Sequence, residues 1–76
     1  MPKIPIVKSE DFYKYLLKYG CTSVGVRGSH HKICNPKTNK VSIVAVHIGK
    51  DFDRGSFLGV LNQLGIDVDD FAAFIQ

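Results

Sequence analysis

The sequence predicts an α+β domain: a helix, three antiparallel strands, a second helix and a short third one. Two observations carry this. Apolar spacing switches from helical to alternating after Gly20 and back to helical after the 47–53 loop. The three strand-like stretches are joined by turns too short for a crossover helix, so neighbouring strands run antiparallel. One sheet face should then be covered by helices and the other left open.

Residues 1–8 contain Pro2 and Pro5 and read as an extended lead-in. Ser9 reads as a helix N-cap, because Glu10 and Asp11 follow in the first turn. Phe12, Tyr15, Leu16 and Tyr19 repeat at helical spacing, Leu17 widens the stripe, and Gly20 ends it. Residues 22–27 alternate, with Val24 and Val26 on one side and Ser23 and Gly25 on the other. Gly28-Ser29 reads as a tight turn and residues 30–34 as a second strand. The stretch 35–39 is rich in turn formers, and β-branched residues dominate 41–46. In the next helix, 56–64, Phe57, Val60, Leu61 and Leu64 share a stripe, and Gly65 stops it. Asp67 then fits an N-cap, with Asp70 at N3 and an Ile66–Phe71 staple. This last helix is too short to stand alone, so Phe71, Phe74 and Ile75 must pack on the rest.

With 76 residues the chain forms one domain, 1–76, with a thin core. A deep enclosed pocket is not expected, so any chemistry should take place on an open surface. The 45% apolar and 22% charged content excludes a disordered chain. No apolar run, residues 43–46 and 71–75 included, is long enough to span a bilayer, and the N-terminal stretch lacks the apolar region of a secretory signal. A cytoplasmic protein with Cys21 and Cys34 as free thiols is the expectation. Charge is unevenly placed. Residues 1–50 hold nine Lys or Arg against two acids, and residues 51–76 hold one Arg against five. A basic front of this kind suits a polyanion such as nucleic acid.

Few catalytic patterns are present. The glycines form no phosphate-binding loop, there is no CxxC or HExxH, and paired carboxylates occur only where helix capping explains them. His30, His31, His47, Cys21 and Cys34 are zinc-type ligands at spacings that fit no zinc pattern, so no metal and no other cofactor is expected. Tyr13, Tyr15 and Tyr19 suit base stacking but at helical spacing read more simply as core and rim.

Gly28-Ser29-His30-His31 stands out. Adjacent strand residues point to opposite faces. Ile33 should face the core, and His31 shares its parity. His30 shares parity with Lys32 and Cys34 and should lie on the open face. An exposed imidazole titrates near neutrality and can both take and give a proton. Arg27 and Lys32 could hold phosphates beside it. A surface or packing role is the simpler reading of any strand histidine. His47, after the third strand, could reach the same edge, though a plain loop residue explains it as well. Lys50 follows as a further phosphate contact.

The chain resembles the HicA family of bacterial toxins over nearly its whole length, from about Pro5 onward. Three segments carry the resemblance. The first is the helix, Gly20 and a strand ending in Arg27-Gly28-Ser29-His30-His31. The second is the third strand running into the loop with His47. The third is residues 54–66, Arg-Gly-Ser-Phe-Leu-Gly-Val-Leu-Asn-Gln-Leu-Gly-Ile, followed by Asp69-Asp70-Phe71. The resemblance implies a fold like the double-stranded-RNA-binding domain. It implies an endoribonuclease of a toxin–antitoxin system that cleaves mRNA and blocks translation. The motif histidine, His30, would be the active residue, with His31 as second choice. Gly28 and Ser29 of the motif join Arg27, Lys32, His47 and Lys50 as the expected RNA-binding set. A HicB-type antitoxin is the implied protein partner. The sequence departs from the family at Cys21, at Ile33-Cys34 and at the acids Asp51 and Asp53 after His47.

The combined expectation is a metal-independent endoribonuclease acting on single-stranded mRNA. Its alternatives are a non-catalytic RNA-binding module of the same fold and a degenerate toxin that only binds an antitoxin.

Overall fold

The computed structural model describes residues 6–75. The order is α1 (Ser9–Tyr19), β1 (Thr22–Arg27), β2 (His30–Asn35), β3 (Lys40–Ala45), α2 (Arg54–Leu64) and α3 (Val68–Ile75). The strands form one antiparallel sheet in the order β1-β2-β3. The predicted fold class and element order are those observed. The lead-in lies outside the described residues up to Pro5. Beyond it, Val7 and Lys8 run beside Asp51 and Phe52, joined by the Phe52 N–H to Val7 carbonyl bond of 2.8 Å.

The core follows from the two helical stripes. Phe12 and Leu16 of α1, Phe57, Leu61 and Leu64 of α2, and Phe71 of α3 are fully buried with Ile33 and Val44 of the sheet. The Phe12 ring lies at the centre of this cluster. Its centroid is 4.6 Å from Phe52, 4.9 Å from Phe57 and 5.8 Å from Phe71. Burial of each such side chain contributes about 1.5–3 kcal/mol, so eight of them dominate a domain this small. Leu17, placed at the edge of the stripe, is exposed. Phe74 packs against Tyr19 at 5.2 Å yet keeps 45% of its surface in solvent.

Ser9 is not an N-cap. The helix begins at Ser9 itself, Lys8 occupies the cap position, and Ser9 is buried. Its hydroxyl is used at longer range. It donates to the His47 carbonyl and accepts from the His47 N–H, both at 2.8 Å. A buried hydroxyl must find partners, and the chain end of β3 supplies both.

α2 starts two residues earlier than its apolar stripe suggests, because Asp53 caps it. The Asp53 carboxylate accepts from the N–H groups of Gly55 and Ser56 at 3.0 and 3.1 Å. Gly65 ends α2 in the left-handed conformation, φ 69°. Asp67 caps α3 as expected, accepting from the Asp70 N–H at 3.0 Å.

β1 departs from simple alternation. Its pairing with β2 slips between Ser23 and Gly25, leaving Val24 as an extra residue in a bulge. All six residues of β1 are exposed. β1 lies at the edge of the sheet, and Val24 and Val26 do not join the core.

Candidate functional site

The Gly28-Ser29 turn joins β1 to β2, and Gly28 takes a φ of 61°, which favours glycine. The turn sets Arg27 directly opposite His30. His30 in turn faces Ala45 of β3, and Lys32 lies between Gly25 and Ile43. Bulge and turn together leave the parity of β2 intact. Ile33 is fully buried on the helix-covered side, while His30 and Lys32 are exposed.

Arg27, His30 and Lys32 meet in one open depression of about 420 Å³, lined also by Gly25, Val26 and Ile43. Three groups able to carry positive charge thus surround an aliphatic floor. Sequence reasoning missed Gly25 and Ile43. Ile43 was readable in principle, because it pairs with Lys32 and must share its face.

His31 lies elsewhere. It is half-buried on the helix side, its ring 4.5 Å from that of Tyr13, and its Nδ1 is buried with no hydrogen-bond partner. His31 does not line the depression that holds His30.

His47 follows β3 at the sheet end that carries the Gly28-Ser29 turn. The Val46 N–H donates to the Ser29 carbonyl at 2.8 Å. The imidazole of His47 is exposed while its backbone is held by Ser9. The Ser9 N–H also donates to the Lys50 carbonyl at 2.9 Å, and the Lys50 N–H to the His47 carbonyl at 3.0 Å. Glu10 completes the attachment by accepting from the Gly49 N–H at 2.9 Å. The first turn of α1 therefore fixes the loop bearing His47 and Lys50. Neither residue lines the depression.

The acids near this loop are engaged locally. Asp51 pairs with Lys8 at 2.8 Å, and that pairing raises the Lys8 pKa. Asp53 faces the start of α2, and the Ser56 hydroxyl and N–H hold its carboxyl below the usual value. Among the described residues no group of three or more His, Cys, Asp or Glu is placed to hold a metal ion. No helix there is long and apolar enough to cross a membrane.

Fold and site together define a small α+β domain whose histidine-and-cation cluster lies on an open sheet face rather than in an enclosed cleft. Residues 9–66 match the family model described as the HicA toxin of bacterial toxin–antitoxin systems. The match spans α1, the whole sheet and α2, and ends before α3. The chain belongs to the HicA toxin family. No curated protein and no solved structure matches it.

Proposed function

We propose that the protein is an endoribonuclease toxin that cuts single-stranded mRNA at the depression formed by Arg27, His30 and Lys32. The observation that carries this reading is the exposed His30 imidazole sharing one surface with two cations. In this mechanism His30 takes the proton from a ribose 2′-hydroxyl. The 2′-oxygen then attacks the adjacent phosphorus, the bond to the 5′-oxygen breaks, and a 2′,3′-cyclic phosphate remains. The leaving 5′-oxygen needs a proton. His47, at the same end of the sheet as the Gly28-Ser29 turn, is the candidate donor. Arg27 and Lys32 hold the phosphate and offset its growing charge. The reaction uses the substrate's own hydroxyl as nucleophile, so acid–base groups suffice and no metal is needed. An unpaired strand can reach the in-line geometry that a duplex resists. Gly28 and Ser29 shape the turn beside the scissile phosphate, and Lys50 extends the basic edge.

Family membership supports a HicB-type antitoxin as the partner that covers this face, with the pair acting in the cytoplasm. The fold implied is that of a double-stranded-RNA-binding domain adapted to cutting.

The test is incubation of the purified protein with a long unstructured RNA in EDTA, alongside His30→Ala and His31→Ala. Cleavage by wild type and a loss of about 10²–10⁴-fold in His30→Ala is the expected result. Intact RNA with wild type would overturn the catalytic reading and leave a binding module. Loss confined to His31→Ala would move the chemistry off this face.

A further inference from the structure

Gly25 is a glycine that neither backbone nor packing requires. Gly20, Gly28, Gly49 and Gly65 all have positive φ, so local conformation explains them. Gly25 does not. It follows Val24 in the bulge, but without positive φ the bulge itself places no demand for glycine there. A Cβ at Gly25 would lie 3.9 Å from the Lys32 Cβ, an ordinary contact, with nothing else within reach. A side chain would therefore fit, and it would stand in the depression. A glycine inside a strand weakens the strand, and often marks a place where something else approaches closely. Here the space lies beside Lys32, in the depression that Arg27, His30 and the 58% exposed Ile43 also line.

We infer that the depression above Gly25 and Ile43 is a subsite for one nucleobase of the RNA, adjoining the phosphate held by Arg27 and Lys32. The chemistry of the walls selects this occupant. The floor is aliphatic and offers apolar contact to a flat ring. The rim is cationic, so the occupant carries an anion beside its apolar part, which is the composition of a nucleotide. A guanidinium such as that of Arg27 also stacks on bases. The volume, about 420 Å³, falls in the range of about 300–1,000 Å³ typical of small-ligand clefts. No carboxylate lines the depression to repel a phosphate. The subsite rests on the reading of this face as an RNA surface and adds to it a contact that depends on the base.

The experiment compares wild type, Gly25→Val, Gly25→Ala and Ile43→Ala in the full chain. The probes are a 2′-O-methyl oligoribonucleotide, which has no free 2′-hydroxyl to be cut, and an abasic backbone of equal length. Gly25→Val fills the space and should raise thermal stability, because valine suits a strand. It should weaken binding of the base-bearing probe by about 5- to 150-fold, the range for one stacked base, and leave the abasic probe unchanged. Gly25→Ala and Ile43→Ala should shift affinity in the same direction by less, so the conclusion does not hang on one variant. Equal affinity of all four proteins for the base-bearing probe overturns the subsite, as does an equal loss for both probes. Cleavage of ordinary RNA is scored separately. A wild type that binds with base dependence but never cuts keeps the subsite and ends the ribonuclease reading. Cutting with unchanged affinity in Gly25→Val does the reverse.

Discussion

The imidazole of His31 lies against the phenol ring of Tyr13, 4.5 Å between centroids and tilted by 50°. Its neighbour His30 points the other way, into solvent. One histidine thus joins β2 to α1 and the other is free for chemistry. His31→Ala should lower stability by about 0.5–1.5 kcal/mol beyond its lost area, and His31→Phe should recover most of that. Urea denaturation of both variants measures it. In the proposed ribonuclease, cleavage by His31→Phe should stay near wild type, and a deep loss there would show that His31 does more than pack.

The β2–β3 turn closes the end of α2. The Asn35 side-chain amide donates to the Leu64 carbonyl at 2.9 Å, and the Thr38 hydroxyl donates to the same oxygen at 2.8 Å. Asn35 is buried, and its loss takes one of two donors from the Leu64 carbonyl and the acceptor from the Lys37 N–H. Asn35→Ala should cost about 1–3 kcal/mol and Thr38→Ala about 0.5–1.5 kcal/mol. If thermal melts show the two substitutions to be equal, burial is not what sets the difference.

Acid should loosen α2 through Asp53. Hydrogen bonds from the Ser56 hydroxyl and N–H, with one from Gly55, hold the Asp53 carboxyl below its ordinary value of 3.8. A carboxyl lowered in the folded state contributes stability that is fully present above 3.8 and fades as pH falls through the folded value. Melting temperature followed from neutral pH into that window should fall more steeply for wild type than for Asp53→Asn. Parallel curves would remove Asp53 as the source.

The two thiols should react in sequence. Cys21 is buried, and burial, helped by the nearby Cys34, pushes its pKa up, so little thiolate forms at neutral pH. Cys34 is only partly covered. Mass spectrometry of native protein with iodoacetamide should find Cys34 alkylated first and Cys21 only as the chain unfolds. Simultaneous labelling would contradict the packing around Cys21.

Much of this was legible in the sequence because it depends on local period. The stripe Phe57, Val60, Leu61 and Leu64 is buried as its spacing requires, and the parity of Ile33 with His31 placed both histidines on their faces. Errors arise where a residue's partner is distant in sequence. Ser9 looks like an N-cap beside Glu10 and Asp11, but its hydroxyl serves His47, 38 residues away. Val24 and Val26 look like two residues of one alternating side, but the bulge at Val24 breaks that alternation and both are exposed. Gly25 looked like one more alternating residue, because nothing local marks an empty space as useful. The grouping of Arg27, His30 and Lys32 follows from strand parity and from the place of Arg27 beside the Gly28-Ser29 turn, and the family motif adds only the role of His30.

The Ser9–His47 clasp has a consequence for how the site opens. Four hydrogen bonds join the first turn of α1 to the chain just beyond β3, beside a turn that borders His30. The edge that carries the histidines is therefore not a fraying margin but part of the last unit to come apart. In hydrogen exchange, the amides of Ser9, Val46 and His47 should open together with the Phe12 core and only on global unfolding. A protease or a quality-control unfoldase would then meet a chain that is wholly native or wholly spent, with no half-open form between.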